Sequence, residues 1–433
     1  MTSTKAMLGI AVWVLALYLP SISHPFVMWD DPIYVMLNPV VQNWAEAPWS
    51  DRLLTPNLLY PVPLPVAIYA AITKLLGYEA AMGIHLLSTF LHALNAILLF
   101  WFCRRLTAST NASVVAALIW ASHPIMVESV AWATNLKELL MTGAVLGSLI
   151  LMTGPHKKLI WLLPLVVIGL ASKPTFAVVG CLLFLVAWRE QDRPKWLISI
   201  ALVCLGFGYV MWVSGGHDEQ FRAAMETRDP LVTIGKSAGL QFLHGAWPES
   251  LQPYYPEELQ RHDGTSLLGW LTLLVGVCVS GLFLWRRQTW SLGIALALMA
   301  WLPYSNLMPL PRFTADTYAY FPGIGLTLTL AVLLQRLGER RAWAGLVLAA
   351  CLAVISISQI SRWSSTQQLW GPLLGNPDQF ALPYQLIAFE AHLLGNNERS
   401  AELLEAAWPQ LLSQHGRPGF ADNVYDALGR PRP

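Results

Sequence analysis

HLLSTFLHALNAILLFWFCRR (85–105) and, after a five-residue connection, NASVVAALIWASHPIMVESVAWATNLKELL (111–140) decide how this chain is read. The first run is apolar for about the length needed to cross a bilayer and ends on a bare Arg104-Arg105 pair. The second run is apolar too, but it ends among mixed charges: Glu128, then Lys137-Glu138. The same alternation extends in both directions. Bare basic groups recur at Lys157-Lys158, Arg286-Arg287 and, more loosely, Arg336/Arg340/Arg341, with Lys5 ahead of the first apolar run and Arg189/Arg193/Lys195 on the same side by span parity. Acid-containing clusters fall between them: Asp30-Asp31, Glu128, Lys137-Glu138, Lys173, and Arg312 with Asp316. If the apolar runs are membrane helices, the basic groups mark the cytoplasmic face and the mixed clusters share the opposite one. Ionisable groups gathered on one side of a membrane, with no anchoring duty, point to a functional site.

Composition fits that reading. The chain has 433 residues, 55% hydrophobic and only 12% charged, with net charge +1 and mean hydropathy +0.48; a soluble domain carries about twice that charge. No basic patch exists away from the apolar segments, so nucleic acid is not an indicated partner. The five cysteines lie within or beside apolar runs with no CxxC spacing, which argues against a disulfide framework or metal site. Many of the 20 Trp sit at span ends, as an interfacial belt does. Residues 7–22 resemble a signal sequence but read better as an uncleaved anchor, because the rest of the chain is polytopic.

The expected architecture is an all-α polytopic membrane protein with about eleven spans. They lie near 7–22, 85–102, 112–130, 136–152, 159–171, 175–188, 196–214, 266–285, 290–306, 320–335 and 343–360. The pair 159–171 and 175–188, interrupted by Pro164, Gly169 and Pro174, can equally form a broken hairpin. Parity places the N-terminus in the cytoplasm, with a first outer loop (23–84), a second (215–265), a short one (307–319) and a tail (361–433) outside. Within the first loop, Val62–Leu76 reads as a helix lying on the membrane surface. In the tail, Leu386, Phe389 and Leu393, then Ala401, Leu404, Ala407 and Leu411, recur at helical spacing on either side of Gly395-Asn396-Asn397. That pattern resembles one tetratricopeptide-type unit, which must dock on the membrane domain to bury its apolar face. Residues 417–433 read as frayed.

Each polar constellation has a chemical and a structural reading. Asp30-Asp31 can supply a general base, since mutual repulsion raises one carboxyl pKa; equally, one carboxylate can cap a turn. His123 and Glu128 close an apolar span, and His123 before Pro124 can serve only the helix interruption. Lys137 can meet a phosphate, while Glu138 in the same first turn is an ordinary dipole partner. Lys173, between two spans, favours an anionic partner. In PLPRFTADTYAYFP (309–322), Arg312 offers a planar fork for phosphate. There Asp316 can orient Arg312 or contact a sugar, and Tyr318 and Tyr320 can stack on it; the plain alternative is an interfacial Tyr belt with one ion pair. Tyr254-Tyr255 read as packing. Asn111-Ala-Ser113 fits a glycosylation acceptor but falls on the cytoplasmic side.

Taken in order, WDDPIYVMLNPVVQNW (29–44), the Pro-x-Pro-Leu element at 61–64, HLLSTFLHALNAILLF (85–100), SHPIMVESVAWATNLKELL (122–140), SKPTF (172–176), QPYYP (252–256), NLMPLPRFTADTYAYFPGIGL (306–326) and RWSSTQQLW (362–370) resemble the membrane half of the transmembrane and TPR-containing protein O-mannosyltransferases and their bacterial relatives. These belong to the GT-C class of polyprenyl-phosphate-sugar glycosyltransferases. The resemblance spans roughly residues 5–412. It implies a GT-C bundle whose first outer loop carries the catalytic base, mapping to Asp30 beside Asp31. Lys137, Lys173 and Arg312 would be the donor-phosphate cations, and His123, Glu128, Asp316 and Tyr318 would complete the donor site. The family's late motif reads A-D-R-Y, whereas this chain has Ala315-Asp316-Thr317-Tyr318, so Arg312 substitutes for the missing Arg or the donor differs. The single repeat-like unit replaces long arrays.

The implied reaction is inverting transfer of a sugar from a polyprenyl phosphate to a hydroxyl on the outer face of a bacterial inner membrane. The acceptor is Ser or Thr of an exported protein such as a pilin, with a glycolipid or lipid A as the alternative. No cofactor is implied, though two carboxylates can hold a divalent cation weakly. A lipid-linked-sugar flippase is the competing class; it calls for ionisable groups deep inside several spans, whereas here they gather at span ends.

Overall fold

The computed structural model describes every residue except 1, 215–228, 249–250, 257–262, 309, 376–379, 415–417 and 431–433. Among the described residues the chain is all helical. Helix α1 is Ser3–Tyr18, ended by Pro20 and followed by the first long connection. Within that connection lies α2, Pro63–Leu76, which leads through a turn at Gly77 into the 28-residue α3, Ala80–Thr107. Arg104 and Arg105 occupy the last turn of α3, where cations complement the helix dipole. Helix α4, Thr110–Ser122, is capped by the Ser109 side chain. It breaks at His123-Pro124 and resumes as α5, Val127–Ala131, bent by 59°, because proline restricts the preceding residue to extended backbone and removes a donor.

Helices α6 (Leu136–Met152), α7 (Leu162–Ser172), α8 (Val179–Glu190) and α9 (Arg193–Ser214) complete the first half. The second half comprises α10 (Pro230–Ala246), α11 (Asp263–Arg286), α12 (Thr289–Trp301), α13 (Gly323–Leu337) and α14 (Glu339–Arg362). In the tail, α15 (Leu382–Leu393) and α16 (Asn397–Gln414) are joined by a turn with Gly395 at positive φ, and α17 is Ala421–Leu428.

Among the described residues six helical stretches are long and apolar enough to cross a membrane: Ser3–Ser23, Pro63–Thr107, Ala133–Met152, Arg193–Val213, Gly264–Arg286 and Trp343–Arg362. The bent α4–α5 pair makes a seventh if it forms one span. Helices α7, α8, α12 and α13 stand where further spans are expected but are shorter than a bilayer's usual requirement. Where α12 and α13 cross, small residues let the backbones touch: a Cβ on Gly325 would stand 2.3 Å from the Gly293 carbonyl oxygen. This is the close small-residue packing that joins helices in lipid.

The charges sort to the two ends of this bundle. At one end Arg105 ties α3 to α6 through the Thr153 hydroxyl (3.1 Å), while Arg189 reaches Thr289 (3.1 Å) and Trp188 donates to the Leu284 carbonyl (3.2 Å). Within the Arg189/Arg193/Lys195 group, Lys195 pairs with Glu190 (2.8 Å) and Asp192 (3.3 Å). Asp30, Glu128, Lys137, Lys173 and Arg312 lie at the opposite helix ends.

Three sequence expectations change. The segment 215–265 is not loop throughout, because α10 occupies 17 of its residues; much of the remainder, like Pro309 of the late motif, lies outside the described residues. In α15 the buried face is Ile387, Ala388 and Ala391, with Leu386 and Phe389 half-buried and Leu393 exposed, so the stripe is rotated by about one residue. The α16 stripe stands: Ala401, Leu404, Ala407 and Leu411 are fully buried. Residues 421–428 are ordered as a helix because Ala421, Val424 and Tyr425 form one apolar face, and Tyr425 packs edge-on to Trp408. The tail reaches the bundle directly: Thr366 accepts from the Met28 N–H (3.0 Å), and the buried Trp370 donates to the Met28 carbonyl (2.9 Å).

Candidate active site

The connection after α1 sets the adjacent carboxylates in different surroundings. Asp31 is buried, and three donors converge on it: the Val27 N–H on Oδ2 (2.9 Å), with Trp132 Nε1 (3.1 Å) and the Thr134 hydroxyl (2.7 Å) on Oδ1. Burial pushes its carboxyl up to about 6, opposed by these hydrogen bonds and reinforced by the Asp30 charge. Asp31 therefore pins the 27–31 turn to the start of α6.

Asp30, whose side chain is 18% exposed, faces Lys137 at 4.0 Å. Burial raises its carboxyl above the usual range, with the Lys137 and Arg312 charges pulling the other way. Among the described residues its side-chain oxygens accept no hydrogen bond. A carboxylate made more basic by its surroundings and left uncommitted has what a general base requires.

Lys137, at the first turn of α6, is held among rings: its Nζ lies 3.9 Å from the Tyr34 ring centre and 5.7 Å from that of Trp132. Arg312 lies over the same Trp132 (5.4 Å), and over Trp29 and Tyr318 (5.8 Å each). Two cations thus share one indole, and Trp29 immediately precedes the carboxylate pair. Arg312 donates to Glu128 Oε1 (2.6 Å) and to the Pro253 carbonyl (2.9 Å), while the other Glu128 oxygen accepts from the Thr317 N–H (3.0 Å). Burial works against the Arg312 charge, but Glu128 outweighs it and holds the guanidinium above its ordinary value.

Lys173 forms a buried ion pair with Glu138, and Tyr304 donates to the same carboxylate (3.0 Å). Burial lowers the Lys173 ammonium despite that partner. Tyr304 stacks on Tyr318 (4.8 Å, 21°), and burial raises the Tyr318 phenol to about 12 against the pull of Arg312.

Asp30, Lys137, Arg312, Glu128 and Tyr318 are therefore brought together, with Lys173 and Glu138 beside them. Two of the candidate residues take other partners. Asp316 does not orient Arg312; it accepts from the Tyr255 hydroxyl (2.8 Å) and faces His244 Nδ1 (3.5 Å), so Glu128 is the orienting group. His123 stands apart: its Nδ1 caps the turn at Ile125 (3.3 Å) and its Nε2 meets the Gly245 carbonyl (3.0 Å), a structural duty set by the helix break.

Thr317, standing where the resembled family has Arg, is buried. Its hydroxyl meets Ser129 (2.9 Å) and accepts from Asn135 (2.7 Å). The hydrogen bonding that fixes α5 to the start of α6 thus runs through Thr317. Sequence reasoning passed over Tyr34, Trp132, Thr134, Tyr304 and His244. Trp132 and Thr134 lie inside the quoted 122–140 segment, and the change from apolar to Trp-Ala-Thr-Asn just before Lys137 was the available signal. His244 carried none.

Comparison with protein-family models, with curated proteins and with solved structures finds no match to this chain in any of the three. Among the described residues no group of three or more His, Cys, Asp or Glu side chains is gathered as a metal ion would need.

Proposed function

We propose that this chain is an inverting glycosyltransferase of the GT-C kind, moving a sugar from a polyprenyl-phosphate donor to an acceptor hydroxyl at the bundle end that carries Asp30. The observation that carries the reading is the division between neighbours: Asp31 is consumed by three donors, whereas Asp30 stays free beside a cation. In the proposed reaction Asp30 accepts the proton of the acceptor hydroxyl as its oxygen bonds to the anomeric carbon. The bond from that carbon to the donor phosphate oxygen breaks, its electron pair leaving with the phosphate. Charge building on the phosphate is met by Lys137, whose 4.0 Å approach to Asp30 is loose, and by Arg312, which holds Glu128 with one edge of its fork. Lys173 is committed to Glu138 and contributes field more than contact. Trp29, Trp132 and Tyr318 pack around the Arg312 guanidinium and hold it at the site.

In this reading α7, α8, α12 and α13 also traverse the bilayer. With the bent α4–α5 pair and the six long helices they make eleven spans, the Arg104-Arg105 end cytoplasmic and the tail periplasmic. The α15–α16 hairpin serves as a tetratricopeptide-like unit near the acceptor, which is Ser or Thr of an exported protein.

The test is transfer of labelled sugar from native polyprenyl-phosphate donors to exported protein in membranes, comparing wild type with Asp30→Asn at matched expression. The expected result is transfer by wild type and its loss in the variant, with the variant still extracted as a monodisperse protein. Undiminished transfer removes Asp30 as the base. No transfer by wild type, with lipid-linked sugar still crossing the bilayer, replaces the enzyme with a flippase.

A further inference from the structure

Away from the Asp30 centre, a groove of about 640 Å³ opens between residues 41–46 and the end of α2, where the chain turns into α3. Phe26, Val35, Val41 and Ala70 make part of its lining apolar. Glu46 stands on one wall and Lys74 on the other, both exposed. Opposite charges sharing one groove commonly close on each other. Among the described residues these two side chains form no ion pair or hydrogen bond with each other or with anything else, which leaves a gap with an anion-binding side and a cation-binding side. The Thr73 hydroxyl, also on the lining, is buried and has no hydrogen-bond partner.

The setting narrows the occupant. The apolar stretch Pro63–Thr107 runs from α2 into a helix long enough to cross a membrane, and the groove lies at the end of α3 remote from Arg104-Arg105. Trp49, Leu53, Leu54, Leu75 and Tyr78 beside it are exposed, the mixture of aromatic and aliphatic side chains that settles at a bilayer interface. We propose that this groove binds a phospholipid with a phosphoethanolamine headgroup, its phosphate at Lys74, its primary ammonium at Glu46 and an acyl chain along the apolar lining. A primary ammonium offers N–H donors to the Glu46 carboxylate, which a quaternary ammonium lacks. An anionic headgroup satisfies Lys74 but is repelled by Glu46. The site rests on the membrane character of the chain and not on sugar transfer.

The test is native mass spectrometry of delipidated wild-type protein titrated with equal amounts of phosphatidylethanolamine, phosphatidylcholine and phosphatidylglycerol. The readout is the ratio of lipids retained. Ethanolamine lipid is expected to exceed each of the others by roughly five-fold, the worth of one partly exposed charge-assisted hydrogen bond. Glu46→Gln should reduce that preference to below about two-fold, and Lys74→Gln, which removes the partner of the phosphate common to all three, should lower retention of the three lipids together. Both side chains are at the surface, so neither change threatens the fold. Equal retention of the three lipids by wild type, or an ethanolamine preference that survives Glu46→Gln, overturns the proposal.

Discussion

Replacing Asp31 by Ala tests the division of labour between the adjacent carboxylates. The substitution leaves the Val27 N–H and the Trp132 indole N–H without an acceptor in a buried place, while the Thr134 hydroxyl can rotate toward another acceptor. Each stranded donor costs about 1–3 kcal/mol, so the sum is roughly 2–6 kcal/mol. Asp30→Ala removes no hydrogen bond; it takes a loose 4.0 Å partner from the buried Lys137 but also relieves the burial of the Asp30 carboxylate, so it costs less than Asp31→Ala. In detergent, with tryptophan fluorescence followed at one scan rate, Asp31→Ala should lower the apparent Tm by roughly 5 °C or more, and Asp30→Ala should lower it by clearly less.

The pH dependence carries a second sign. Burial raises the Asp31 carboxyl to about 6 in the folded protein, against about 3.9 in an unfolded chain. Between those values the folded state keeps a proton that the unfolded state has released. The contribution is therefore fully present below about pH 4, declines by up to about 3 kcal/mol as pH rises to 6, and is flat above. Asp31→Asn, which cannot ionise, should lack that slope. Equal loss of Tm in Asp30→Ala and Asp31→Ala, or a wild-type slope retained in Asp31→Asn, would refute the assignment.

Three other outcomes follow from the same geometry. Lys173→Met strands the buried Glu138 carboxylate and should cost about 3–5 kcal/mol, whereas Lys173→Met with Glu138→Leu should recover much of it; thermal unfolding of the single and double variants reads this directly. Thr317→Arg, which restores the A-D-R-Y pattern, should fail to give monodisperse protein on size exclusion, because a long cation cannot occupy the buried space between Ser129 and Asn135. Gly325→Leu should force α12 and α13 apart and sharply reduce detergent stability, while substitution at Gly9, where a Cβ meets nothing within 4 Å, should be silent.

How much was legible follows from which forces act locally. The helices read at 85–102 and 136–152 are legible from hydropathy alone, because a backbone in lipid must satisfy its own hydrogen bonds and the apolar run then fixes the element; the first extends in the structure to Ala80–Thr107. Sorting of charges to two ends was legible for the same reason, since a charge beside an apolar run must leave the bilayer at its near end. Helix α17 was missed because its apolar face is only two turns long and gains its stability from Trp408 on another helix. The α15 stripe was misplaced because Leu393 looked as suitable for burial as Ile387, and only the docking of α16 chose between them.

The site divides along the same line. From the sequence came the kinds of group present and their shared side: adjacent carboxylates after α1, a cation at the head of α6, an Arg in the segment before α13. The tertiary structure decided which groups are committed and which are free. Asp30 and Asp31 are indistinguishable in sequence, and what separates them arrives from Trp132 and Thr134, 101 and 103 residues away. Arg312 takes its partner from Glu128 on α5, not from Asp316 four residues along. Solvation and chain connectivity act over a few residues and are written in the sequence; a buried charge is completed by whichever donor packing brings within 3 Å, and that is known only once the helices are assembled.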